Sequence, residues 1–133
     1  MAASDKPVFS INVPVRWGDM DAYGHVNNTV YFRLFEEARI QWLGSLHIIN
    51  EREGPIIVTT GANFQKELGY PVDLRVDLHT GKAGNSSLMT YYRLIDNDDG
   101  SVYAEGEAKL VWFDKQARSS APLPPTLREL AAE

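Results

Sequence analysis

The stretch from about Asn28 to Leu43 constrains the fold more than any other part of the chain. Tyr31, Phe35, Ala38 and Trp42 recur at spacings of 4, 3 and 4, the period of a helical stripe. Val30, Phe32, Leu34, Ile40 and Leu43 carry apolar surface well beyond that stripe, and only Arg33, Glu36, Glu37, Arg39 and Gln41 are clearly polar. A helix apolar around most of its girth is buried on several sides. The pattern predicts one long helix, about Asn28 to Leu43, closed by Gly44 as C-cap. It also requires something to wrap that helix.

The rest of the chain supplies strands. From Val8 to Arg16, Phe9, Ile11, Val13 and Val15 alternate with Ser10, Asn12 and Pro14. Pro14 cannot donate to a ladder, so this is an edge strand or a strand end. Ile56, Val58, Thr60, Ala62 and Phe64 alternate along a second strand, and Val72, Leu74, Val76 and Leu78 along a third, against Asp73, Arg75, Asp77 and His79. Lys82 to Ser86 reads as a turn, Leu88 to Ile95 as a fourth strand, and Asp96 to Gly100 as a second turn. In the fifth strand Ala104, Gly106, Ala108, Leu110 and Trp112 face one way, and Tyr103, Glu105, Glu107 and Lys109 the other. The small residues of that set let a helix approach closely. Pro122 to Leu130 reads as a proline-rich tail entering a short helix. Short turns join strands three to five into an antiparallel meander. The fold class is therefore α+β, with the long helix covering the sheet's apolar face. A length of 133 residues fits a single domain, 1–133.

Composition excludes several functions. There is no cysteine, hence no disulfide, thiolate metal site or cysteine nucleophile. A formal charge of −5 without a basic run argues against bulk nucleic-acid binding. No apolar run approaches the roughly 20 residues of a membrane span. Met1 to Pro7 is small and polar, unlike a secretory signal, so Asn27-Asn28-Thr29 and Asn85-Ser86-Ser87 are read as chance matches to the glycosylation pattern. A cytoplasmic location is expected.

The segment Arg16 to Asn28, reading RWGDMDAYGHVNN, carries the chemistry. Asp19, Asp21 and Gly24 imitate the start of a calcium loop, but the acid required at its fifth position is Tyr23 and the glutamate at its twelfth is Val30. His25, His47 and His79 are isolated, without the i,i+4 partner of a zinc helix, and no metal site is expected. His47 and His79 read as surface residues. There is no Gly-x-Ser-x-Gly, no Walker loop and no Gly-x-Gly-x-x-Gly. What remains is a carboxylate, Asp21, just ahead of a helix N-terminus, where free N–H groups can hold an oxyanion. The plainer alternative makes Asp19 and Asp21 turn formers and Asn27 an ordinary N-cap. Spacing alone leaves both open.

The run from Arg16 to Arg39, RWGDMDAYGHVNNTVYFRLFEEAR, resembles the 4-hydroxybenzoyl-CoA thioesterase family. Looser similarity covers nearly the whole chain, including Ala62-Asn63-Phe64, the meander and the terminal Pro-Leu-Pro-Pro. The resemblance implies the hotdog fold, an antiparallel five-stranded sheet wrapped around one long central helix. It implies an acyl-CoA substrate, hydrolysis of its thioester, and no cofactor. It places the catalytic carboxylate on Asp21 and the oxyanion donor on the backbone N–H of Asn28, with Asn27 one residue away as the alternative. His25, Val26, Asn27 and Tyr31 are implied substrate-binding residues, while Phe35 goes to core packing before the acyl pocket. Asp21 would act as nucleophile or as base on water. Lys66, Lys82 and Arg93 are unranked candidates for the CoA phosphates. A homodimer or homotetramer (a dimer of dimers) is expected, because the helix is over-apolar and edge strands need covering. The rivals are an acyl-carrier-protein thioesterase, for which the acidic chain offers no obvious basic patch, a hotdog dehydratase using His25 with Asp21, and a non-catalytic acyl-binding module.

Overall fold

The computed structural model describes residues 6–132; the first five residues of the polar N-terminal segment lie outside it. Strand β1 (Phe9–Val13) leads through a 3-10 turn (Trp17–Asp19) to helix α1 (Asn28–Ser45). Strands β2 (Glu53–Phe64), β3 (Leu74–Ala83), β4 (Ser87–Asp96) and β5 (Val102–Asp114) follow, then the two-residue β6 (Ser119–Ser120) and helix α2 (Pro125–Leu130). All pairings are antiparallel, in the spatial order β1-β3-β4-β5-β2, with β6 beside the end of β5. One long helix packs against one face of this sheet, which is the hotdog arrangement. Among the described residues the sheet has six strands, five of full length.

The fit between helix and sheet comes from β5. Ala104, Gly106, Ala108, Leu110 and Trp112 are all buried. At Gly106 an added Cβ would stand 2.5 Å from Cε2 of Phe35, closer than side-chain atoms tolerate, so glycine is what lets α1 descend onto the sheet. Phe35 in turn stacks on Tyr92 of β4, centroids 5.2 Å apart. Leu34, Ala38, Trp42 and Leu43 complete the buried face of α1.

Several expectations need correction. The first strand stops at Val13, because Pro14 ends the ladder, and it does lie at a sheet edge. The helix runs two residues past Leu43; Gly44 sits inside its last turn, Leu46 is the C-cap, and His47 takes the left-handed turn at φ 55°. The third strand starts at Leu74, leaving Val72 outside it, and continues to Ala83, while the fourth runs from Ser87 to Asp96. The alternation expected from Ile56 to Phe64 is broken by a register shift between Ile57 and Thr59. Ile56, Ile57 and Val58 are all exposed on this edge strand. Arg39, expected on the polar side, is buried. Its guanidinium donates to Tyr92 Oη at 3.1 Å, Tyr92 shares a 2.7 Å hydrogen bond with Thr90 Oγ1, and Thr90 donates to Ala108 O. A charge in the core stays there only when hydrogen-bonded in this way.

Candidate functional site

The loop between β1 and α1 is built around Asp19. Its carboxylate accepts the Arg16 N–H at 2.9 Å and lies 3.1 Å from Nη2 of Arg33 and 3.4 Å from Nη2 of Arg16. Burial alone would push its pKa up; the Arg16 N–H, then the Arg33 and Arg16 charges, outweigh burial and hold it below the ordinary 3.8. Asp19 O also accepts the Asn27 N–H at 3.2 Å. Asp19 is thus more than a turn former: it ties the loop to the first turns of α1.

Asp21 stands in a small closed turn. An antiparallel bridge joins Met20 to Val26, Asp21 N–H donates to His25 O at 2.8 Å, and Gly24 N–H donates to Asp21 O at 3.1 Å. Gly24 closes the turn at φ 82°, a conformation that favours glycine. One carboxylate oxygen, Oδ1, accepts the Tyr23 N–H at 2.9 Å. The Asp21 side chain is thereby presented beside the start of α1.

Asn27 is the N-cap of α1: its Oδ1 accepts both the N–H and the hydroxyl of Thr29, at 3.0 and 2.8 Å. Asn28, the first helical residue, has no intrahelical acceptor for its N–H, and no other acceptor engages it among the described residues. A free donor at the positive end of an 18-residue helix is suited to an oxyanion.

These residues border an open cleft of about 420 Å³. Asp21, His25, Val26, Asn28 and Tyr31 line it together; Asn27 is not among the lining residues, and Phe35 lies in the core beneath Gly106. Of the opposite wall, only Lys66 is a candidate from the sequence. That wall is formed by Phe64 at the end of β2 and by Gln65, Lys66, Glu67 and Leu68 after it, with Tyr23 at the rim. Val26 N–H donates to Leu68 O at 2.7 Å, which joins the two walls. Tyr31 meets Phe64 edge-to-face at 4.8 Å, and its burial raises its pKa. Of the three basic candidates only Lys66 lines the cleft. It donates to Ser101 Oγ at 2.7 Å and stands 4.6 Å over the Tyr103 ring. Arg93 pairs with Glu105 at 3.4 Å, and Lys82 is exposed near the β3–β4 turn. His47 is exposed and His79 half-buried on β3. No periodicity of the sequence marks residues 64–68 as a partner of the Asp21 loop; only the path of β2 along β5 brings them there.

No described helix is long and apolar enough to cross a membrane. Residues 15–130 match the model of the thioesterase-like superfamily. Among solved structures, the chain is similar to the candidate thioesterase PA2801 of Pseudomonas aeruginosa, with a TM-score of 0.88 and 39% identity over 93% of this chain and 98% of that one. It is also similar to XC229, a candidate acyl-CoA thioesterase of Xanthomonas campestris, with a TM-score of 0.78 and 32% identity over 88% and 99% of the two chains. The Bacillus subtilis protein YsmA is 29% identical over 111 residues, 82% of this chain and 75% of YsmA. A match over residues 15–130 covers most of the chain, and with the hotdog sheet and helix it settles the family: the chain belongs to the thioesterase-like superfamily and is a thioester hydrolase.

Proposed function

We propose that this hydrolase cleaves acyl-CoA to a free carboxylic acid and CoA. The observation that carries the proposal is the convergence of Asp21 with the unengaged Asn28 N–H on one cleft. The thioester carbonyl points at that N–H, where the helix end stabilises the negative charge that develops on oxygen. Asp21 acts on the carbonyl carbon, either as nucleophile through a mixed anhydride or as base on a water. Val26 and Tyr31 shape the acyl side of the cleft. Lys66, the lysine in the cleft wall, faces the phosphates. No metal or organic cofactor enters this scheme, and the reaction suits a cytoplasmic enzyme.

The unit we propose is a homodimer, or a homotetramer built from it. β2 closes one end of the sheet order, is 12 residues long, and exposes Ile56, Ile57 and Val58. A long apolar edge strand invites pairing with another strand, and a second copy is the natural partner. Phe64, on the same strand, lines the cleft.

The decisive experiment is Asp21→Asn against a panel of acyl-CoA chain lengths, read by thiol release and by direct binding. Asn retains the acceptor for the Tyr23 N–H, so the turn survives. It is a poor base and nucleophile. Turnover should fall by at least about 10²-fold with binding largely kept. A wild type that binds acyl-CoA without cleaving any thioester would favour the acyl-binding module instead, and cleavage confined to acyl carrier protein thioesters would favour the carrier-protein enzyme.

A further inference from the structure

The cleft contains a second carboxylate and an imidazole that the scheme above leaves idle. His25 closes the Asp21 turn, and Glu67 follows β2 on the opposite wall. Their side chains meet with Nε2 and Oε2 3.0 Å apart. The adjoining Val26–Leu68 backbone bond holds the two walls in register. The pair is open to solvent, with His25 44% and Glu67 78% exposed, and an ion pair so exposed adds little to folding stability. Its place beside Asp21 calls for another explanation.

The cleft is graded from dry to wet. Leu68, Tyr31 and Val26 are buried, whereas His25 and Glu67 lie on the open side. On the reading that the substrate is acyl-CoA, the apolar acyl group occupies the buried side and the charged nucleotide stays in water. The sulfur joins the two, so it passes the imidazole. We propose that His25 is the acid that protonates the departing sulfur, and that Glu67 is the positioning residue that holds His25 for that task.

The step balances as follows, taken with Asp21 as base. Asp21 accepts a proton from water as the oxygen attacks the carbonyl carbon, and the Asn28 N–H receives the negative oxygen. On collapse the C–S bond breaks, its electron pair goes to sulfur, and sulfur takes a proton from His25 Nδ1. His25 Nε2–H remains on Glu67. The proton held by Asp21 returns through solvent to His25. Water and thioester become acid and thiol. If Asp21 is instead the nucleophile, the same proton serves sulfur in the acylation half, and water then hydrolyses the anhydride.

The test varies the leaving group. One acyl chain is presented as an alkyl thioester, whose thiol resembles cysteine with a pKa of about 8.5, and as a nitro-substituted aryl thioester, whose far more acidic thiol needs no proton. An alkyl thiolate already leaves readily, so acid help is worth the low end of the usual range, about 10²-fold. His25→Ala should therefore lower the alkyl-to-aryl ratio of kcat by about tenfold or more, and Glu67→Gln should move it the same way by less. Glu67→Asp should recover part of the loss. Both variants replace solvent-exposed side chains and should melt near the wild type. Equal losses on both substrates would reduce the pair to a structural role, and full activity of His25→Ala and Glu67→Gln on both would remove it from the reaction. Asp21→Asn run alongside separates the two proposals: an active Asp21→Asn overturns the base or nucleophile, whereas an unaltered ratio with a dead Asp21→Asn overturns only the acid. A wild type inert on both thioesters overturns both.

Discussion

Asp19→Asn changes one carboxylate oxygen to an amide and should cost stability for reasons that can be counted. The wild-type side chain accepts the Arg16 N–H at 2.9 Å and approaches Arg33 at 3.1 Å and Arg16 at 3.4 Å. The arginine side chains are 71% and 43% exposed for Arg16 and Arg33, so screening leaves each ion pair worth at most about 1 kcal/mol. The backbone bond to a carboxylate is worth about 1.5–3 kcal/mol and to a neutral amide about 0.5–1.5, a loss of roughly 1 kcal/mol. The sum lies between about 1 and 3 kcal/mol, or roughly 3–12 °C in Tm for a chain of this length. The sign with pH is fixed. Asp19 has its folded pKa below 3.8, so its stabilisation is complete above the unfolded value and disappears as pH falls through the folded one. Thermal melts of both proteins from pH 7 to pH 2.5 should show a gap that holds down to about pH 5 and closes in acid. A gap under 1 °C at pH 7, or one that persists undiminished at pH 2.5, refutes the assignment. Thiol release by the folded variant at a temperature well below its Tm should stay within about tenfold of wild type, in contrast to Asp21→Asn.

Asn28→Ala should keep measurable turnover, because the donor is backbone, whereas Asn28→Pro removes the N–H at a position that tolerates proline and should lose about 10²–10³ in kcat; equal inactivity of two folded variants would count against a backbone role. Gly106→Ala forces a methyl to within 2.5 Å of Phe35 and should destabilise by about 1–3 kcal/mol in a denaturant melt, with Phe35→Leu in the same chain restoring part of it. Val58→Lys, on the exposed apolar edge of β2, should shift light-scattering mass toward monomer, and an active wild type of about 15 kDa at assay concentration would reject the dimer itself. The Tyr103 hydroxyl, buried and donating to Asp96 Oδ2 at 2.9 Å, is pushed up to about 12; ultraviolet titration should show one tyrosine ionising there, and the stability it contributes is lost as pH rises from about 10 through 12.

Most of the fold was legible because it rests on periodicity. A helix stripe and a strand of alternating small and polar residues are local patterns, and α1 and β5 sit within two residues of where those patterns put them. The failures are places where tertiary contact overrules a local pattern. The alternation of β2 suggests a half-buried strand, but its place at the end of the sheet order leaves most of it exposed on both sides of the register shift at Ile57–Thr59. Arg39 reads as solvent-facing by charge, yet Tyr92 and Thr90, more than fifty residues on, supply the partners that allow its burial. The cleft divides the same way. Asp21, His25, Val26, Asn28 and Tyr31 belong to one motif and were named from it, while Phe64, Lys66 and Glu67 reach the cleft only through the course of β2. Asn27 was given to the substrate by its place in the motif; the structure shows its side chain occupied with Thr29.

The hydrogen bond from Tyr23 N–H to Asp21 Oδ1 makes the two oxygens of that carboxylate inequivalent. A free aspartate spins about its Cβ–Cγ bond and presents either oxygen to a reagent from any quarter. Here one oxygen accepts the N–H of its own turn, which leaves Oδ2 as the freer oxygen for the role proposed for Asp21. The torsional freedom that a side chain would otherwise surrender on reaching the reactive geometry has already been given up during folding. On the role proposed for Asp21, an oxygen held in one orientation also favours one side of the thioester plane. In that reading a prochiral or branched acyl group meets a handed site, although the reaction itself creates no stereocentre.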